Sequence, residues 1–429
     1  MIAAAPASPR STLAADVAGG VTTFFTMAYI VVVNPGILAT AGTGMTFSGV
    51  LTATVLVAST MTLLMGLYAR LPFAVAPGMG LNAFFAYTII LQNKVPWQAA
   101  LGMVFWAGVL FLLISATPLR ERIALAIPPA LRTGAAAGIG LLLTLLGLRS
   151  GGLIQADPAT LVRVGPLGHR AAFLIVGLLI AVALMRRQNP FAFLASMFGV
   201  TALAWAFGYV QLPTHVVSAP DFHSVFLQLD SIGALKLSLL PSILAILFTD
   251  LFDSLSTFIG VANAAHLTDA DGRPINLRRG LIVDAFATLG AGLAGTSSGT
   301  AYVESVSGIR MGGRNGRASV VTALCFLPCL FIAPLVGAVP DYATASVLIL
   351  VGLAMFQTVG TLDFLSLEDT IPAFMTIVLI PLTVSITQGM LWGFVLHALL
   401  YSLAGRARAV APALWALAAL SAAFLMLEY

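Results

Sequence analysis

Long apolar segments follow one another along almost the whole chain, most of them 15–22 residues in length. A helix needs about 20 apolar residues to cross a bilayer. Hydrophobic residues make up 59% of the 429 residues and charged residues 8%, whereas soluble domains carry about 25% charged residues. The continuous runs exclude a β-barrel, whose strands would alternate in polarity. The sequence therefore predicts an all-α integral membrane protein, with no basic soluble domain to bind nucleic acid.

We place fourteen spanning segments along the chain. They cover residues 17–40, 48–68, 73–91, 97–116, 131–148, 170–185, 190–210, 240–261, 280–294, 299–309, 318–338, 344–360, 371–386 and 388–405. A further apolar stretch, 411–427, either spans the membrane or lies against its surface.

The positions of the basic residues give the orientation of these segments. With a cytoplasmic N-terminus, fifteen of the 20 Lys and Arg residues fall on the inner side. The five on the outer side are Lys94, Arg149, Arg163, Arg170 and Lys236. Cytoplasmic loops are enriched in Lys and Arg, so we predict a multi-pass protein of the cytoplasmic membrane with its N-terminus inside.

Two segments contain helix breakers. Segment three includes Pro77, Gly78 and Gly80, and segment ten begins in the Gly/Ser/Thr-rich run Gly295–Val303. Pro77 and Gly299 both lie about sixty residues beyond the starts of segments one and eight, and interrupted segments at matching places indicate an inverted repeat with a mid-membrane site. We therefore predict two inverted repeats of seven segments, with segments three and ten broken.

Three acidic residues lie inside apolar segments eight and ten: Asp250, Asp253 and Glu304. Ionisable groups at this depth usually line a substrate or ion path. A carboxyl group that a proton can neutralise suits a proton-coupled carrier, and a carboxylate also accepts hydrogen bonds from a planar neutral heterocycle. The alternative is that these acids hold helices together through polar partners. Asp284, on segment nine, is a further candidate, or else a structural partner of Arg278 and Arg279.

Three other side chains are candidates for substrate binding, each with a structural alternative. Asn82 follows the break in segment three and offers both a donor and an acceptor, but it can also cap the half-helix that follows. Tyr302 can stack on an aromatic ligand or pack in the core, as can Phe24, Phe25 and Phe84. Thr23 lies on the polar side of segment one, where threonine often bonds its own helix backbone. No metal, cofactor or nucleophile motif stands out, so an enzyme is disfavoured.

Several stretches resemble a known transporter family. They are Gly20-Val-Thr-Thr-Phe-Phe-Thr-Met-Ala-Tyr-Ile30 with Asn34-Pro-Gly36, Ala76-Pro-Gly-Met-Gly-Leu-Asn-Ala-Phe-Phe-Ala-Tyr87, Phe252-Asp-Ser-Leu-Ser-Thr-Phe-Ile-Gly260, Gly295-Thr-Ser and Tyr302-Val-Glu-Ser305. In this order they resemble the AzgA-like hypoxanthine/adenine/guanine permeases, relatives of the nucleobase–ascorbate transporters. The resemblance extends from about residue 11 to residue 405.

The resemblance implies one membrane transporter domain with two parts. A core domain would comprise 13–117 and 240–339, a gate domain 118–212 and 340–405, and 406–429 would form a C-terminal tail. Segments three and ten would each carry a short strand and a half-helix, with the purine between them. The resemblance further implies proton symport, elevator-like movement, a homodimer, and substrate or coupling roles for Asn82, Asp250, Asp253 and Glu304.

The leading hypothesis is thus a proton-coupled importer of purine bases that needs no cofactor beyond the coupling proton. The family commonly has Gly where Ser256 stands, and a Thr-rich run where this chain has Ser298-Gly-Thr-Ala301, so the preferred purine stays open. One alternative is an anion transporter of the sulfate/bicarbonate type, which shares the implied fold but should present a basic or neutral site. Another is a membrane receptor that binds a ligand without transporting it.

Overall fold

Helices dominate the computed structural model, which describes residues 12–117, 127–211, 213–265, 267–268 and 274–428. In chain order they are α1 Leu13–Met27, α2 Ile30–Leu38, α3 Phe47–Leu64, α4 Met79–Ala83, α5 Trp97–Ala116, α6 Pro129–Ser150, α7 His169–Arg186, α8 Ala192–Ala206, α9 Leu240–Ala265, α10 Leu277–Ala294, α11 Ser305–Arg310, α12 Gly316–Phe326, α13 Ala333–Gly337, α14 Asp341–Phe356, α15 Leu367–Thr383, α16 Ile386–Leu403 and α17 Pro412–Glu428. The strands are β1 Val75–Pro77, β2 Ile154–Asp157, β3 Leu161–Val164 and β4 Gly299–Ala301.

Within those residues, 8 helices are long and apolar enough to cross a membrane. They lie on the predicted segments, and shorter apolar helices such as Met79–Gln92 and Gly316–Phe331 account for others. The chain is therefore a multi-pass membrane protein, as predicted. The apolar stretch near the C-terminus forms α17, and its crossing of the bilayer stays a prediction.

Segments three and ten are broken where the sequence predicts. In each, a three-residue strand precedes a short helix, and β1 and β4 pair antiparallel. The register places Val75 opposite Ala301, Ala76 opposite Thr300 and Pro77 opposite Gly299. All six residues are buried. Two stretches more than two hundred residues apart therefore form one two-stranded sheet inside the protein, and this pair of β1 and β4 is called the strand crossing below.

The crossing satisfies backbone groups that a helix would otherwise satisfy. The Gly78 amide donates to the carbonyl of Ser298 at 2.8 Å. The Thr62 hydroxyl of α3 lies 2.9 Å from both the amide and the carbonyl oxygen of Val75. Unsatisfied backbone groups are costly at bilayer depth, and these bonds explain how extended backbone is tolerated here.

The helix contacts fall into two sets. One set packs α5 against α10 and α9, and α12 against α1 and α3; the other packs α6 against α14 and α15, and α7 against α8. In both sets, elements from the first half of the chain contact elements from the second half. The division into core and gate domains and the seven-plus-seven inverted repeat stay predictions.

The predicted outer loop between α6 and α7 contains structure that the sequence analysis missed. Strands β2 and β3 form a hairpin there. The Asp157 carboxylate accepts the backbone N–H groups of Ala159 and Thr160 at 2.9 and 3.1 Å. These two backbone donors hold the pKa of Asp157 below its ordinary value.

Helices α1 and α11 approach closely at two glycines. A methyl group on Gly19 would lie 2.6 Å from the carbonyl oxygen of Gly308, and one on Gly308 would collide with the Thr23 hydroxyl and the Gly19 carbonyl. We expect Gly308→Ala to lower stability by about 1–3 kcal/mol, because overpacking forces a backbone shift. The apparent Tm in detergent measures this.

Gly260→Ala is the matched control for that substitution. Gly260 lies within α9, and a methyl group there meets no atom within 4 Å. It should leave the Tm unchanged or raise it slightly, because Ala favours helix over Gly. Equal Tm values for both variants would contradict the close approach.

Candidate substrate site

Asp250 of α9 lies fully buried beside the strand crossing. The hydroxyl groups of Thr288 and Ser298 both donate to its Oδ2 atom, Ser298 at 2.6 Å. Its Oδ1 atom is buried and accepts no hydrogen bond from the described residues. Hydroxyl donors from α10 and from the turn before β4 thus fix the carboxyl group through one of its two oxygens.

Asp253 lies one turn further along α9 and is half-buried. Its carboxyl group interacts with the hydroxyl of Thr300 in β4 and with the charge of Glu304. Asp250 and Asp253 share a helix face because residues three apart lie on the same side. The structure thus brings the three predicted acids together around β4 and the start of α11.

Glu304 directly precedes α11 and is half-buried. The Tyr29 hydroxyl donates to its Oε1 atom at 2.7 Å. Tyr29 lies between α1 and α2 and is 1% exposed. The sequence alone does not single out Tyr29, because one tyrosine in an apolar segment carries no signal for a partner 275 residues away.

Asn82 is fully buried in α4. The Ser297 hydroxyl donates to its side-chain oxygen, while its Nδ2 atom has the sulfur of Met79 as a distant neighbour at 3.9 Å. Asn82 forms no side-chain cap at the start of α4, so the capping alternative is wrong. Its amide contacts the segment-ten side of the crossing instead.

Tyr302 is buried, and its hydroxyl donates to the carbonyl oxygen of Pro77 at 2.5 Å. Its backbone N–H donates to Ala74 at 2.9 Å. Both bonds tie the end of β4 to β1. Tyr302 therefore has a structural function at the crossing, and its stacking on a ligand stays a prediction.

Thr23 is buried where α1 meets Gly308 of α11, and substrate binding by Thr23 stays a prediction. Phe24 packs edge-on against Phe326 with ring centroids 5.0 Å apart. Phe25 contacts Phe191 at 4.4 Å, and Phe84 is fully buried. These three phenylalanines therefore pack against other side chains, as in the second of the two interpretations given for them above.

Asp284 is fully buried in α10, where the Ser254 hydroxyl donates to its Oδ2 atom. Arg278 instead donates to the backbone oxygen of Ala116 at 3.0 Å. The interpretation of Asp284 as a partner of the arginine pair is therefore wrong. The Oδ1 atom of Asp284 is buried and accepts no hydrogen bond from the residues that the structure describes, and Asp284 is thus a fourth acid in the polar cluster.

No basic side chain in the described part of the chain forms an ion pair with any of these four acids. The ion pairs found there join Arg163 to Asp157, Arg170 to Asp341 and Arg406 to Glu368. Burying an unpaired charge is costly. These acids are therefore tolerated best when they are protonated or accept hydrogen bonds.

Two stretches differ from the AzgA-like pattern, and one of them, the run Ser298–Ala301, belongs to this cluster. Ser298 donates to Asp250. Ser256 lies on the exposed side of α9.

Known proteins similar to this chain are permeases. It is 42% identical over 396 residues to the putative permease MJ0326 of Methanocaldococcus jannaschii, covering 92% of this chain and 90% of that protein. It is 39% identical to the adenine permease AdeP of Escherichia coli, with coverage of 94% and 90%. With the guanine/hypoxanthine permease PbuG of Bacillus subtilis it shares 38% identity, with coverage of 94% of each chain. The prediction of a carrier rather than an enzyme agrees with these relatives.

Among solved structures, the transmembrane domain of the cyanobacterial bicarbonate transporter BicA has a similar fold. The TM-score is 0.66 at 18% identity, and the match covers 90% of this chain and 98% of that domain. Residues 15–391 match the model described as the Permease family. The resemblance of the motifs to AzgA-like permeases is thereby confirmed, and the chain belongs to the Permease family.

Proposed function

We propose that this protein imports purine nucleobases, namely adenine, guanine or hypoxanthine, together with protons across the cytoplasmic membrane. The names of its relatives AdeP and PbuG support adenine and guanine or hypoxanthine as the substrate class. The observation that carries the proposal is the buried Asp250 carboxyl group beside the strand crossing, with one oxygen free and no basic partner among the described residues.

The polar cluster matches the chemistry of a purine. Ring and exocyclic N–H groups donate to the free Oδ1 atom of Asp250 and to Glu304, and hydrogen bonds to charged acceptors contribute about 1.5–3 kcal/mol each. The Nδ2 group of Asn82, with only a sulfur at 3.9 Å, donates to a ring nitrogen or a carbonyl. Donors and acceptors on opposite strand–helix units would hold the planar base between β1–α4 and β4–α11.

The same lack of basic partners among the described residues supports proton coupling. An acid in an apolar medium is tolerated best when a proton neutralises it. The charges of Asp253 and Glu304 repel each other when both groups are ionised, so protonation of one of them would remove this repulsion before the core domain moves. We propose elevator-type movement of the core against the gate, a cytoplasmic N-terminus and a homodimer.

The test is uptake of radiolabelled adenine, guanine and hypoxanthine in cells that lack their own purine permeases. We expect one of these purines to accumulate above its outside concentration and a protonophore to abolish the accumulation. Excess unlabelled purine should compete, whereas uracil and sulfate should not. Binding without accumulation would favour a receptor, and inhibition by sulfate would favour an anion carrier.

The likeness to BicA does not by itself favour bicarbonate as the substrate, because 18% identity shows the fold alone. An anion carrier should offer helix N-termini or basic side chains to its ligand. The helices α4 and α11 begin just after the paired strands, but in the described site Asp250, Asp253, Asp284 and Glu304 surround these strands. Their negative charges, when ionised, would repel an anion.

A further inference from the structure

Tyr29 contacts both Glu304 and a helix of the predicted gate domain. Its hydroxyl donates to the Oε1 atom of Glu304 at 2.7 Å. Its ring packs edge-to-face against Phe193 of α8, with centroids 5.1 Å apart. Tyr29 is 1% exposed, so both contacts lie in the interior. One side chain thereby joins the acidic site to α8.

A second aromatic pair supports the same junction. Phe25, one helical turn before Tyr29, contacts Phe191 at 4.4 Å between ring centroids. Residues four apart lie on one helix face, so Phe25 and Tyr29 together pack on the start of α8. Of the two, Tyr29 alone carries a hydroxyl group that reaches the acidic site.

The charged and titratable groups around Glu304 come from three elements. Asp253 approaches from α9, Tyr302 lies in the same segment as Glu304, and Tyr29 comes from the break between α1 and α2. The Tyr302 hydroxyl already donates a hydrogen bond to the carbonyl oxygen of Pro77. Among the described residues, Tyr29 is therefore the side chain that donates to the Glu304 carboxyl group and orients it.

We infer that Tyr29 is a positioning residue, which orients Glu304 for the purine and is itself held in place by Phe193. This inference rests on the proposed function. A movement of α8 relative to α1 would release the Tyr29 ring, and Glu304 would then lose its fixed orientation. The substrate affinity would thus depend on the contact between the two predicted domains.

The first test is Tyr29→Phe, which removes the hydroxyl and keeps the ring. We expect the KM for the transported purine to rise about tenfold, the equivalent of one hydrogen bond to a charged group. The pH dependence of KM should change as well, with a smaller change in maximal rate. Tyr68→Phe is the control, because Tyr68 is 45% exposed and its ring contacts the guanidinium group of Arg279, not an acid of the site. A structural role alone would lower the maximal rate and the amount of folded protein but leave KM and its pH dependence unchanged.

The second test is Phe193→Leu, with the exposed Phe198→Leu on the same helix as control. We expect a smaller rise in KM, and no further rise when Phe193→Leu is added to Tyr29→Phe, since contacts that act through one residue are not additive. Additive effects would overturn the link through Tyr29.

Uptake by the native protein distinguishes failure of the inference about Tyr29 from failure of the proposed function. Native uptake with an unchanged KM in Tyr29→Phe would overturn the inference and leave the proposed function standing. Absence of purine uptake by the native protein would overturn both.

Discussion

Glu304→Gln is expected to reduce purine uptake by about 100-fold or more while leaving the protein folded in the membrane. The substitution keeps the size of the side chain and an oxygen that can accept from Tyr29, whose hydroxyl lies 2.7 Å away in the native protein. It removes the charge that strengthens hydrogen bonds to the purine and the group that takes up a proton. Loss of one or two charge-assisted hydrogen bonds, about 1.5–3 kcal/mol each, gives a decrease of this size.

The measurement is initial uptake of labelled purine, normalised to the amount of protein in the membrane. Glu368→Gln is the matched control. Glu368 is also partly buried, but it lies on α15, away from the strand crossing, and forms an ion pair with Arg406. We expect near-native uptake from this control. Full accumulation of purine by Glu304→Gln would refute the assigned site.

The broken segments are the part of the fold that the sequence predicts best. Pro77 disrupts a helix, Gly78 disfavours one, and the run before Tyr302 is too rich in Gly, Ser and Thr for a plain spanning helix. These are local signals, and the structure confirms both breaks. The register that sets Pro77 opposite Gly299 is not local and could not be derived from either stretch alone.

The candidate acids were predictable for a similar reason, whereas their partners were not. Asp250 stands out in an apolar helix, because a carboxyl group there is costly whatever it contacts. Thr288 and Ser298, which donate to it, look like ordinary small residues of membrane helices. Tyr29 looks like a core aromatic until its hydroxyl is seen beside Glu304.

Asp284 shows how spacing along the chain misleads. Its position shortly after Arg278 and Arg279 allows an ion pair with that cluster. The helix instead turns it inward, where it accepts from Ser254 of α9. Residues six apart lie on different helix faces, so nearness in sequence is a weak guide to pairing. The acidic cluster is consequently larger than the sequence indicated.

Asp253→Asn is expected to abolish proton-driven accumulation while exchange of purine persists. Asp253 is half-buried between Thr300 and Glu304, and asparagine keeps polar contacts there but cannot bind or release a proton.

In proteoliposomes, a carrier that moves one proton per purine should accumulate purine about tenfold per unit of imposed pH difference, since each unit is worth about 1.36 kcal/mol. We expect about tenfold for the native protein and for Asp363→Asn, whose side chain is exposed and caps a turn at Leu365. We expect no accumulation for Asp253→Asn, although labelled purine should still exchange for unlabelled purine inside. If Asp253→Asn responds to the pH gradient as the native protein does, Asp253 lies outside the proton path, and Glu304 and Asp250 are left to carry the proton.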